Sequence, residues 1–352
     1  MRAIDWKPSE NGSPAEIVLL DQTLLPAEVM ALRIQTVDQL IDAIQRLAVR
    51  GAPALGVAGA MGVALAIQNS DEPTAHAEIA RLRAARPTAV NLAWGVDRAM
   101  KEAGYGLDAV IATALKIRDE DVAASQAMAV RGFELLAELL PKEFKAGLTL
   151  MTICNTGSLA AVERGTALGV IEEVFRRGKL RNVLACETRP LFQGARLTAW
   201  ELSNMGAPHQ TIVDSAANFI MSQGGIDAVL VGADRVTANG DAANKIGTFS
   251  LALGAQFAGI PFIVVAPEST IDRNTATGQS IVIEDRGTDE VAFINSKRMS
   301  PEGTTSVNPA FDVTPASLIT AIVTERRVIR FSHGQAPADV IAQERGSMES
   351  AL

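Results

Sequence analysis

The sequence predicts an α/β protein whose N-terminal part is mainly helical, with a small β piece, and whose second part is a mostly parallel sheet. Three observations carry this. Helical spacing of apolar residues persists from about Pro26 to Leu140. Beyond "PKEFKAG", short apolar runs alternate with helical segments, the pattern of a parallel sheet covered by helices on both faces. The chain of 352 residues is 48% apolar, enough for two cores. The expected division is 1–142 for the helical domain and 143–352 for the α/β domain.

Taken in order, "RAIDWKPSENGSPAEIVLLDQTLLP" reads as two short strands joined by a polar turn. "TVDQLIDAIQRLAV" (36–49) has a threonine start and helical spacing. "EDVAASQAMAVRGFELLAELLP" is a further helix, ended by Pro141. No strand signal is seen between Pro26 and Leu140. The apolar runs that follow are "LTLMTIC", "NVLACE", "HQTIVD", "DAVLVGAD" and "PFIVVAP", with helices expected in "GARLTAWELSNMG" and "NKIGTFSLALGAQFAG". In such sheets ligands bind at the carboxyl ends of the strands.

The net charge of −8 argues against a nucleic-acid surface, which needs a basic face, but leaves room for a local anion pocket. No apolar stretch reads as long enough to span a bilayer, and "MRAIDWKPSENGSP" has no apolar signal-peptide core. The two cysteines, Cys154 and Cys186, fit a reducing cytoplasm. His76, His209 and His333 have no metal-ligand spacing, and no GxGxxG, P-loop or CxxC occurs, so neither a metal nor a nicotinamide cofactor is expected.

Several positions could carry chemistry. Cys154 ends an apolar run, and "NTGS" behind it reads as the opening of a helix, a place that suits a phosphate and favours a thiolate. A core cysteine followed by an ordinary cap accounts for the same pattern. Asp234 ends "DAVLVGAD", either as a cap or as a cleft carboxyl group with a raised pKa. Arg50 and Gly51 precede Pro53 at a helix start, where small residues let N–H groups approach an anion or let helices pack closely. Arg86 precedes a proline turn. Asn244 and Lys245 read as a helix start, with a phosphate, a sugar hydroxyl or surface capping as their use. Cys186 reads as plain core.

Together the segments "RGAPALGVAGA", "RPTAVNLAW", "TICNTGSLA", "GTALGVI", "ETRPLFQGARLTAWEL", "VGADRVTANGDAANKIGT" and "NPAFDVTP" resemble the methylthioribose-1-phosphate isomerases. They run in order from about residue 50 to 315. The wider superfamily also holds isomerases of ribose 1,5-bisphosphate and 5-deoxyribose 1-phosphate, and non-catalytic regulatory subunits of a translation-initiation exchange factor. The resemblance implies Cys154 and Asp234 as the catalytic pair. It implies Arg50, Gly51, Ala52, Arg86, Gln193, Asn244 and Lys245 as substrate-binding residues. It further implies a sugar phosphate substrate, a Rossmann-like second domain, a homodimer and no metal. The chain departs from the family pattern at Ile153, where a histidine is expected, at Cys186, where an aspartate is expected, and in "AAVERGTALGV".

Overall fold

The computed structural model of the chain describes residues 2–10, 14–86 and 89–339. Strands β1 (Ile4–Lys7), β2 (Glu16–Leu20) and β3 (Ala31–Ile34) form an antiparallel sheet in that order. The first two match the expected pair. The third corrects the reading of this region as wholly helical. Its four residues, "ALRI", are too few to show a period of two, and their partners in β2 lie across an intervening loop.

Helix α1 (Val37–Gln45) starts where Thr36 predicts. The Thr36 hydroxyl accepts from the Gln39 N–H, and the Gln39 side chain accepts from the Thr36 N–H, a reciprocal cap. It stops short of residue 49 because Leu47 turns left-handed, at φ 65°. Helix α2 (Ala52–Asn69) is the axis of this half, flanked by α3 (Glu72–Arg83), α4 (Val90–Met100) and the first half of α5 (Leu107–Leu139). Its 18 residues are long and apolar enough to cross a membrane, contrary to the expectation that no stretch is. They are mostly buried against the neighbouring helices instead, and α4 approaches so closely that a Cβ on Gly95 would lie 2.0 Å from the Gly56 carbonyl oxygen.

Helix α5 serves both halves. Val110, Ala114 and Ile117 belong to the helical core, while Met128, Leu135 and Leu136 pack beneath the large sheet. After the short α6 (Glu143–Ala146) the chain alternates β4 (Leu148–Thr152), α7 (Ala167–Arg176), β5 (Leu180–Cys186), α8 (Ala199–Met205), β6 (His209–Ile212), α9 (Ala217–Ser222) and β7 (Ala228–Val231). A side excursion, β8 (Arg235–Thr237) and β9 (Ala242–Lys245), precedes α10 (Thr248–Ala258) and β10 (Phe262–Val265). The remaining elements are β11 (Ile271–Asp272), α11 (Asp289–Ala292), the hairpin β12 (Phe293–Ile294) and β13 (Lys297–Arg298), then β14 (Phe311–Thr314), β15 (Ala321–Val323) and β16 (Val328–Ile329).

The large sheet has the order β16-β15-β10-β7-β4-β5-β6, parallel except for the edge strand β16. All five predicted apolar runs are in it. Leu150, Leu230 and Val265 face α5 and α7, whereas Met151, Val229 and Val264 face α9 and α10, which explains why these strands are apolar without alternation. Each such side chain removed from water contributes about 1.5–3 kcal/mol. The chain winds outward in both directions from the central pair β4 and β7, which are in register at Met151 and Val229. Their carboxyl ends therefore mark the place where strand order reverses.

Candidate active site

Cys154 lies two residues beyond β4, and Asp234 three beyond β7, so the central strand pair brings them to the same edge. Cys154 is buried, with a left-handed backbone at φ 64°. Its N–H donates to Thr188 Oγ1 at 2.8 Å, and its carbonyl accepts from Thr198 Oγ1 at 2.6 Å. The Arg50 guanidinium lies with Nη2 3.2 Å from Sγ.

No helix opens directly behind the thiol, which corrects the sequence expectation. Residues Ser158–Ala160 make a single 3₁₀ turn, and α7 begins at Ala167. The polar residues expected to cap a helix are engaged elsewhere. Glu201, on α8, accepts from Asn155 Nδ2 at 2.6 Å and from both the N–H and the hydroxyl of Ser158 at 2.7 Å. These long-range bonds hold the turn against α8, away from a helical course. Thr156 does cap α7, across the loop, by accepting from the Leu168 N–H at 3.1 Å. The positive field beside the sulfur thus comes from Arg50 and from Lys245, which also interacts with the thiol.

The helix start at residue 51 is as predicted. Gly51 has φ 92°, and a Cβ there would lie 2.3 Å from the Ala160 carbonyl oxygen, so no larger residue fits. The first turn of α2 has no side-chain cap, which leaves its N–H groups at the cleft, a favourable setting for an anion.

Asn244 and Lys245 are on strand β9, not at a helix start. β9 belongs to a small sheet of order β11-β8-β9-β14, and Lys245 pairs with Phe311. Lys245 is buried, donates to the Ala310 carbonyl at 2.8 Å, and stands 4.8 Å from the centre of the Phe311 ring. Burial pushes its ammonium down to about 8. Asp234 moves the other way. Its enclosed setting raises the carboxyl group above the usual range, against the pull of Lys245, Arg86, Arg50 and Arg286. Gln193 is buried with Oε1 lacking a hydrogen-bond partner among the described residues, an acceptor available to a ligand hydroxyl.

All nine residues singled out from the sequence, Arg50, Gly51, Ala52, Arg86, Cys154, Gln193, Asp234, Asn244 and Lys245, line one cleft. Sequence reasoning missed Arg286, which lines the same cleft and is held by Glu284 at 3.3 Å and Glu290 at 3.7 Å. No local pattern signals it, because it reaches the site through pairing of residues 284–286 with 308–310. The cleft gathers four cationic side chains around one carboxyl group in a chain whose net charge is −8. Such a site suits a phosphate ester.

The Lys245 shift fixes a pH dependence. Protonated lysine is lost as pH rises through about 8, so affinity for an anion in the cleft should fall on that side. Inorganic phosphate titrated at pH 7 and pH 9 should bind up to about tenfold more weakly at the higher pH. Lys245→Arg should largely remove that difference, and an unchanged difference would exclude Lys245 as its source.

Residues 48–330 match the initiation factor 2 subunit family. The chain belongs to this family. Within it, the chain is 49% identical over 346 residues to a probable bifunctional methylthioribose-1-phosphate isomerase/methylthioribulose-1-phosphate dehydratase of Nocardia farcinica. That alignment covers 96% of this chain and only 61% of the relative, so the chain spans about three fifths of the bifunctional protein. It is also 49% identical to a methylthioribose-1-phosphate isomerase of Alcanivorax borkumensis, over 88% of this chain and 90% of that one. A 5-deoxyribose 1-phosphate isomerase of Moorella thermoacetica is 44% identical, with 97% of each chain covered. Among solved structures of the initiation factor 2 subunit fold, the 5-methylthioribose 1-phosphate isomerase of Pyrococcus horikoshii OT3 superposes with a TM-score of 0.82 at 39% identity, covering 94% of this chain and 92% of that one.

Proposed function

We propose that the protein is an aldose–ketose isomerase that converts 5-methylthioribose 1-phosphate to 5-methylthioribulose 1-phosphate, a step of methionine salvage. The observation that carries this reading is the meeting of Cys154 and Asp234 in one cationic cleft at the point where the sheet reverses its strand order. The relatives' names support the substrate. On its strand order we also read the second part of the chain as Rossmann-like. We divide the chain at about residue 142, with α5 packed on both sides of that division.

The chemistry makes definite demands. A phosphate on the anomeric carbon prevents ordinary opening to a free aldehyde. Asp234, whose burial favours the protonated form, donates its proton to the ring oxygen as the C1–O bond breaks. Hydrogen then passes from C2 to C1. Either the Cys154 thiolate removes it as a proton and returns it through an enol phosphate, or it shifts as hydride to the cationic C1. In either route the C2 hydroxyl gives up its proton as the ketone forms, and the Asp234 carboxylate accepts it. Arg50, the start of α2, Arg86 and Lys245 hold the phosphate, and Gln193 and Asn244 orient the sugar. The apolar strands "LTLMT" and "AVLV" behind the pair keep water from that side.

Ketose phosphate release from a panel of aldose 1-phosphates tests the reading. The methylthio sugar should have the highest kcat/KM. A higher value for 5-deoxyribose 1-phosphate or ribose 1,5-bisphosphate would reassign the substrate, and no release from any of them would indicate a non-catalytic homologue.

We further propose a homodimer. Phe249, Leu253 and Phe257 recur every fourth residue along α10 and stand exposed beside Phe219 of α9, an apolar face with no covering element among the described residues. Phe257→Glu should halve the mass measured by light scattering. A wild-type mass equal to one chain would dismiss the dimer. The two free cysteines support a reducing compartment, the cytoplasm.

A further inference from the structure

Two non-glycine residues at the carboxyl edge of the large sheet have left-handed backbones and are bonded to each other. Cys154 has φ 64° and Thr188 has φ 66°. For a β-branched residue such as threonine this conformation is unusual and persists only where the surroundings impose it.

Thr188 is fully buried, and its hydroxyl uses both of its capacities. It donates to the Cys186 carbonyl at 2.9 Å and accepts from the Cys154 N–H at 2.8 Å. The backbone of Thr188 is held in turn from the next strand. One carboxylate oxygen of Asp214 accepts from the Thr188 N–H at 2.8 Å, and the other accepts from the Arg189 N–H at 2.7 Å. Asp214 follows β6, Thr188 follows β5 and Cys154 follows β4, and these three strands are neighbours in that order.

We infer that Thr188, fixed by Asp214, is a positioning residue that locks Cys154 in its left-handed conformation and so aims the thiol at Arg50 and the cleft. Without the hydroxyl, the buried Cys154 N–H has no acceptor. The backbone then relaxes toward an ordinary conformation, and Sγ swings off its line to the guanidinium. The Cys154 carbonyl stays tethered by Thr198, so the change is local. The inference rests on Cys154 being the working thiol of the proposed isomerase.

The test uses Thr188→Val, which keeps the shape and deletes the hydroxyl, Thr188→Ser, which restores it, and Asp214→Asn. Each is assayed for kcat and KM, and for the rate of Cys154 alkylation by iodoacetamide across pH. Thr188→Val should lower kcat by at least about tenfold with KM within about threefold of wild type, and should alter the alkylation profile. Thr188→Ser should return both readouts to near wild type, and Asp214→Asn should fall between. Wild-type kcat and profile in Thr188→Val would overturn the inference. So would lost activity with an unaltered profile, which marks a merely structural role. If Thr188→Val does not fold, Asp214→Asn decides by the same two measurements. If wild type turns over no aldose 1-phosphate, the isomerase reading fails by itself, and the alkylation profiles alone decide the positioning role.

Discussion

Asp234→Asn and Cys154→Ser are each expected to reduce turnover by at least about a hundredfold, the scale of a lost general acid or base, with KM changed little. The asparagine amide keeps the shape of Asp234 and its place just before β8, but has no acidic proton to give the ring oxygen. Serine keeps a polar group in place of the sulfur that lies 3.2 Å from Arg50, but a hydroxyl ionises far less readily than a thiol. Affinity should survive because Arg50, Lys245 and the first turn of α2, the proposed phosphate-binding groups, still line the cleft. Steady-state kinetics with the methylthio sugar decide the matter, and near-wild-type kcat in either variant removes that residue from the catalytic pair.

The second large effect concerns Arg50. Arg50→Ala should weaken phosphate binding by about 1.5–3 kcal/mol, the loss of a charge-assisted hydrogen bond in a sheltered site. Turnover should fall as well, since the same guanidinium stands against the Cys154 sulfur. Arg50→Lys should recover part of the affinity, because a compact ammonium restores charge without the planar fork. Calorimetry with inorganic phosphate reads the first effect apart from catalysis. Equal affinity in wild type and Arg50→Ala would end the assignment of Arg50 to the anion site.

Much of the site was legible because it sits at the ends of strands buried on both faces. Runs such as "LTLMT" and "AVLV" are mostly apolar, so their ends, and with them Cys154 and Asp234, are visible as candidates, although spacing alone left a core cysteine and a capping aspartate equally open and the family resemblance made them a pair. The start of α2 was legible for a similar reason, since Gly51 and Pro53 are local signals. What escaped depends on distant pairing. "NKIGT" leads into the apolar run of α10 and so resembles a helix start, but Asn244 and Lys245 are drawn into β9 by Phe311 and Asp312 of β14. Arg286 is brought in by the same distant segment, through the bond from its N–H to the Asn308 carbonyl. The missing helix behind Cys154 follows from Glu201, a buried carboxylate more than forty residues away in sequence that claims the polar groups of the turn. Composition and spacing carry no trace of such long-range bonds.

Helix α5 has a bearing on how a ligand enters. Many two-part enzymes open by swinging one lobe about a flexible link. Here 33 residues of unbroken helix run from one core into the other, with Gly132 packed so tightly on Val170 that a Cβ would lie 2.4 Å from its Cγ2. A hinge there would require breaking a continuous hydrogen-bond ladder. At the other end the Ala3 N–H is fastened to the Val162 carbonyl at 3.0 Å. Helix α5 and this bond tie the two lobes together. The halves are therefore not interchangeable parts: cut after residue 142, the first would carry Met128, Leu135 and Leu136 bare into solvent.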